Sequence, residues 1–260
     1  MIAICVAAMH MQGCQTTTSG TIVKKDPEKA AKVRTQLAAE YIRTGDLDAA
    51  KRALDQALEA ESRDATANMM MGVLLQQEGS KENMEKADAY FKRALSIDPK
   101  DAQARNNYGT YLYQMGRYNE AIEQLSIAGT TLGYEQRYRA LENLGRIYLK
   151  VGDVANAEKT FKQALTVNRD SVVSMLELSE IFYLQRNIPS ATQLYEQYVR
   201  VMGQKNLSPR ALWIGLRIAR ANNDTMGMQV LVNQLRALFP ESQEFKRYLQ
   251  LQYSTEAVWK

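Results

Sequence analysis

Apolar and small residues recur at three- and four-residue steps through positions 102–128, AQARNNYGTYLYQMGRYNEAIEQLSIA, on both sides of a turn at Gly116. Tyr108, Gly109 and Leu112 mark the inward stripe of one helix, and Ala121, Leu125 and Ala128 that of a second. Gly109 and Ala121 fall where paired helices approach closest, because a larger side chain at either point would push the two backbones apart. The stretch therefore reads as one helix-turn-helix unit.

The same two stripes return along nearly the whole chain. The small residue of the second helix recurs at Ala50, Ala87, Ala121, Ala157, Ala191 and, weakly, Met228, in steps of 37, 34, 36, 34 and 37 residues. Its first-helix partner keeps phase at Ala38, Gly72, Gly109, Gly145, Ser179 and Leu216. A bulky residue follows each second-helix small one by four positions, as Leu54, Phe91, Leu125, Phe161, Tyr195 and Val232. A period of about 34 residues with this content resembles the tetratricopeptide repeat. The expectation is an all-α, right-handed superhelix of six helix pairs over residues 26–242, divided at about 31–64, 65–101, 102–137, 138–171, 172–208 and 209–242. Residues 243–260 supply a capping helix, with Phe245, Tyr248, Leu249 and Gln252 at helical spacing, and a loose tail ending in Trp259 and Lys260.

Punctuation agrees with the phase. Asp26-Pro27, Asp64, Asp101 and Ser208-Pro209 are helix starts, and Pro189 falls in the first turn of a second helix, where proline is tolerated. Asp98-Pro99, Asn168-Arg169 and Phe239-Pro240 are stops. The string SKENMEKA reads as an insertion between the helices of repeat two, and GTTLGYEQRY as a long join between repeats three and four.

Composition narrows the chemistry. A formal charge of +4 over 260 residues is too mild to indicate nucleic acid or an acidic membrane surface as a partner. Residues 1–13 are apolar, too short to span a bilayer, and end in a small residue before Cys14. MQGCQ resembles a bacterial lipoprotein signal, which implies removal of residues 1–13, acylation of Cys14 and a membrane anchor held by that cysteine. An apolar terminus with an incidental cysteine is the alternative. Residues 14–25 would then form a lipidated, flexible tether, QTTTSGTIVKK being polar and without helical period. Processing would remove Cys5 and His10, leaving one cysteine and no histidine, so zinc sites, Ser-His-Asp triads and disulfides are excluded. No catalytic constellation or cofactor motif stands out, and an enzyme is not expected.

Function should then lie on the concave wall lined by the first helix of each pair, the surface on which such arrays take peptides or helices. Outward positions there divide in two. Ile42, Met69, Met70, Val73, Asn106, Thr110 and Tyr113 form an apolar or neutral half in repeats one to three. Arg139, Arg146, Lys150, Arg210, Arg217 and Arg220, with Trp213, form a basic half in repeats four to six. The methionine run also supplies core through Met71, and arginines on helices are commonly a solvated face.

Longer strings point beyond the generic repeat. NNYGTYLY with GRYNEA in repeat three, ENLGRIYL followed by ALTVNR in repeat four, and six repeats after a cysteine and polar tether resemble the PilF/PilW family of type IV pilus biogenesis lipoproteins, the secretin pilotins. The resemblance covers residues from Cys14 to about Tyr253. It implies a monomeric escort, acylated at Cys14 and sorted to the outer membrane, since Gln15 stands where many inner-membrane lipoproteins carry Asp. Its repeats, in the periplasm, would bind secretin subunits and promote their localisation and multimerisation, with the neutral half of the groove taking the secretin segment. A periplasmic scaffold of another envelope machine, for outer-membrane protein assembly or cell-wall synthesis, would use the same anchor and solenoid.

Overall fold

The computed structural model describes residues 26–255 and 259, so the expected signal, tether and Cys14 lie outside the described residues. Those described form thirteen α-helices and one short 3-10 turn, with no strand among them. They pair as α1 (Pro27–Thr44) with α2 (Leu47–Ala60), α3 (Ala65–Glu78) with α4 (Lys81–Ile97), and α5 (Ala102–Gln114) with α6 (Tyr118–Thr130). The series continues with α7 (Arg137–Lys150) and α8 (Val154–Val167), α9 (Val172–Leu184) and α10 (Ile188–Met202), α11 (Pro209–Ala221) and α12 (Thr225–Leu238), and closes with α13 (Gln243–Leu251).

Short polar side chains start most of these helices by accepting an otherwise orphaned backbone N–H. Asp26 accepts from Lys29 N, Asp64 from Ala67 N, Asp101 from Gln103 N and Ala104 N, Asn187 from Ser190 N, and Ser208 from Ala211 N. Pro189 lies in the first turn of α10. Inside each pair the chain reverses through a left-handed residue. Gly45, Gly116 and Gly152 have φ of +83°, +73° and +83°, a conformation glycine adopts without a Cβ clash. Arg186 and Asn223 hold the equivalent turns of the last two pairs at φ +64° and +57°.

The small-residue series lies at helix contacts. Ala87, Ala121 and Ala157 are fully buried. Added Cβ atoms at Gly72, Gly109 and Gly145 would meet Phe91 at 3.0 Å, Leu125 at 2.6 Å and Phe161 at 2.7 Å, each the bulky residue of the same pair's second helix. In the sixth pair the pattern shifts: Gly215, not Leu216, makes the close approach, and its neighbour is Tyr195 of the preceding pair. Buried apolar side chains run from Ala38 to Ile147 as one band and from Met175 to Trp259 as a second, with Ala157, Phe161, Leu178 and Ile181 packed between them.

Two expectations change. The SKENMEKA string is not a loop: Ser80 caps α4 at once, and the additional residues lengthen that helix to 17 residues against 13 in α6. The added turn is used, since the Met84 carbonyl accepts the Tyr111 hydroxyl of the next pair at 2.7 Å. Nor is Trp259 loose: it is 1% exposed and packed against α11 and α13.

Candidate functional site

First helices of successive pairs touch one another, α1 with α3, α3 with α5, α5 with α7 and α9 with α11, and so form the inner wall. Across α3, α5 and α7 the rungs of that wall are amides. Asn107 Nδ2 donates to Met69 Sδ at 2.8 Å, and Gln76 Nε2 to Gln114 Oε1 at 2.9 Å. Asn143 Nδ2 reaches both Asn106 Oδ1 and Thr110 Oγ1 at 3.3 Å. Between the first two rungs lies a hollow of about 470 Å³ lined by Val73, Gln76, Gln77, Asn107, Thr110 and Gln114. Neutral amides beside a valine offer paired donors and acceptors to a peptide backbone without fixing its charge.

From α7 to α11 the rungs are ionic. Arg210 grips Glu177 with two parallel bonds of 2.8 and 2.7 Å and reaches Glu180 at 2.6 Å. Arg217 pairs with the other oxygen of Glu180, and Arg146 lies 3.8 Å from Glu177. Burial pushes the Glu180 carboxyl up, but the charges of Arg217 and Arg210 and their hydrogen bonds outweigh it and hold it below the usual range. The chain's own tail covers this wall. Trp259 stacks on Trp213 at 5.7 Å and 11°, its backbone N–H donates to the Tyr183 hydroxyl at 3.0 Å, and its carbonyl accepts from Arg217 at 3.2 Å. The Arg220 guanidinium lies 4.4 Å over the Trp259 ring and donates to the Ser254 carbonyl at 2.9 Å.

Of the neutral residues, Val73 and Thr110 line the hollow, Asn106 joins the amide rungs, Tyr113 is exposed beside Tyr118, and Ile42 and Met70 are half-buried at the core's edge. Met69 corrects the expectation: at 3% exposure it is floor beneath the groove rather than a contact surface, because its sulfur is turned to Asn107. The basic half is corrected more deeply. Arg210 and Arg217 are committed to carboxylates, Arg217 is 2% exposed, and Arg220 is engaged by the tail. Arg139, Arg146 and Lys150 stay exposed, Arg139 donating to the Tyr138 hydroxyl at 3.0 Å. Sequence reasoning missed Glu177, Glu180 and the amides Gln76, Asn107, Gln114 and Asn143. The signal was present for the amides, which recur one period apart on first helices as Gln76 with Gln114 and Asn106 with Asn143.

Among the described residues no cluster of His, Cys, Asp and Glu could hold a metal ion, and no helix is long and apolar enough to cross a membrane. A further hollow, of about 500 Å³, lies between α10, α11 and α12, away from the first-helix wall, where Gly215 leaves room beside Tyr195.

Tetratricopeptide-repeat family profiles match residues 35–83, 90–123 and 140–171. The chain is 31% identical over 245 residues, 93% of its length, to the type IV pilus assembly protein PilF of Pseudomonas aeruginosa, covering 94% of that protein. Its fold overlays the solved structure of Pseudomonas aeruginosa PilF with a TM-score of 0.81 at 31% identity, over 87% of this chain and 99% of that one. It overlays PilW, a widely conserved type IV pilus biogenesis factor, with a TM-score of 0.72 at 27% identity, over 84% of this chain and 98% of that one. With identity of this level spread along almost the full length of both chains, the tetratricopeptide-repeat array described above belongs to the PilF family.

Proposed function

We propose that the protein acts in type IV pilus biogenesis as a pilotin: an outer-membrane lipoprotein, acylated at Cys14, whose periplasmic repeats bind secretin subunits and promote their localisation and multimerisation. The observation that carries the reading is end-to-end similarity to PilF, a type IV pilus assembly protein, in sequence and in fold. The wall of α3, α5 and α7 is the binding surface this reading favours. No described residue covers it, and it is shaped into a hollow beside Val73 and Thr110 and lined by amides able to bond a peptide backbone. The wall of α9 and α11 is already filled by the chain itself.

The test is secretin capture by the detergent-solubilised lipoprotein. Val73→Glu with Tyr113→Glu places two charges on the wall of α3 and α5 and should abolish recovery of the secretin while circular dichroism stays unchanged. Recovery at the wild-type level would remove the site from consideration. Mass measurement on the mature N-terminus checks the anchor, which requires acylated Cys14 as the first residue. Cys14→Ala should shift the protein out of the outer-membrane fraction.

A further inference from the structure

The tail is seated as a bound peptide is seated rather than as a core element. A single aromatic side chain, Trp259, enters a slot between Trp213, Tyr183 and Tyr248, while Tyr253, six residues before it, is 89% exposed. Its backbone is held at both ends of the slot by side chains of α9 and α11: the Trp259 N–H by Tyr183, the Trp259 carbonyl by Arg217, and the Ser254 carbonyl by Arg220. This is how arrays of helix pairs hold extended segments, with a ring filling a pocket and fixed donors reading the main chain.

The fit leaves polar groups stranded. Arg217 Nε and the indole Nε1 of Trp259 are both buried with no acceptor, and a buried donor without a partner weakens the state that contains it. The charge balance points the same way, since three guanidinium groups, those of Arg146, Arg210 and Arg217, share the two carboxylates of Glu177 and Glu180. An occupant that brought an aromatic ring and a carboxylate together would fill the slot and supply the missing acceptor.

We propose that the first-helix face of the last two pairs is a peptide-acceptor site, that Trp259 is its detachable internal occupant, and that it opens to a partner segment carrying an aromatic residue beside an acidic one. The site is distinct from the hollow at Val73, so the chain would have two peptide surfaces, one open among the described residues and one filled by Trp259. This does not depend on the pilus reading. A tethered occupant acts at an effective concentration in the millimolar range, so a free peptide competes poorly until the ring is withdrawn or the competitor binds better.

The probe is a labelled synthetic peptide of residues 252–260, QYSTEAVWK, titrated into the full chain and into full-chain Trp259→Ala. The peptide should bind Trp259→Ala more tightly than the wild type by roughly tenfold or more, the margin set by losing the tethered competitor. The same peptide with alanine for its tryptophan should not bind. Replacing the residue before that tryptophan with aspartate should tighten binding, because a carboxylate beside the ring offsets the excess of guanidinium groups at Arg146, Arg210 and Arg217. Occupancy is read from the anisotropy of the peptide's label, because the peptide brings a tryptophan of its own beside Trp213. Equal affinity for variant and wild type, no binding to a folded variant, or no gain from the aspartate peptide would each overturn the proposal. So would loss of helical content in Trp259→Ala, since the ring would then be a structural cap rather than a ligand.

Discussion

Gly109 has no room for a methyl group, since its Cβ would lie 2.6 Å from Leu125 Cγ, and the Leu125 side chain is fully buried and cannot swing aside. Gly109→Ala should therefore destabilise the array by about 1–3 kcal/mol, the usual cost of overpacking a close helix contact, read as a lower midpoint in chemical denaturation. Arg186 offers the opposite case. It is exposed at φ +64°, where an L side chain crowds the backbone by about 1–2 kcal/mol while glycine does not. Arg186→Gly should raise stability by up to about 1 kcal/mol in the same assay, and a loss would mean that the arginine makes a compensating contact. The first of these positions was legible in the sequence and the second was not. Gly109 announces itself by period, whereas a left-handed arginine looks like any other surface residue until the backbone is seen.

Among the helices, α6 shows how a local rule gives way to a longer-range contact. The second helices α2, α8, α10 and α12 begin at Asp46, Asp153, Asn187 and Asp224, each of which caps with its side chain. At α6 the equivalent residue is Arg117, which caps nothing and instead reaches Asp88 on α4 at 2.7 Å. Asp88 also accepts from the Tyr108 hydroxyl at 2.9 Å and pairs with Lys92 at 2.6 Å. Burial pushes its carboxyl up, but the bonds from Lys92, Arg117 and Tyr108 prevail and hold it below the ordinary range. A double-mutant cycle on Asp88 and Arg117 should give a coupling of about 1 kcal/mol, while the exposed Lys51 and Asp55 pair on α2 should give a few tenths at most. Similar couplings for both would show that the junction between pairs two and three gains nothing from giving up its cap. Helix existence, pairing and the caps at Asp26, Asp64, Asp101 and Ser208 were readable from period and punctuation. The fate of the SKENMEKA insertion was not, because the same polar string can extend a helix or break one, and Tyr111 taking the Met84 carbonyl goes with the extended form.

At the scale of the whole molecule, one wall is built in two chemistries, amide rungs from α3 to α7 and ionic rungs from α7 to α11. The division was visible in the sequence, but its meaning was inverted, because partners 30 to 37 residues apart, Glu180 with Arg210 and Arg217, are linked only once the pairs are stacked. The tail was less visible still: Trp259 follows the last periodic residue and meets Tyr183 across a separation of 76 positions, which no local pattern encodes. The two chemistries should part company in acid. Because the folded-state pKa of Glu180 is depressed, its contribution is complete above the unfolded-state value of about 4.3 and disappears as pH falls below that, through the folded value. Protonation leaves Arg217, which is 3% exposed at its side chain, without its counter-charge beneath Trp213 and Trp259. The amide rungs carry no titrating group, and Asp88, which also loses its pairs in acid, sits on α4 away from either tryptophan. Tryptophan emission should therefore shift to the red below about pH 4, ahead of the loss of helical circular dichroism. Glu180→Gln should show the shifted emission already at pH 7 and little further change on acidification. Removing one member of a buried pair costs about 3 kcal/mol, and Arg217, the partner left behind, is the residue that donates to the Trp259 carbonyl. If Glu180→Gln kept the full acid response of the wild type, another carboxylate would be the one holding the tail, Glu177 being the first to test because it shares Arg210.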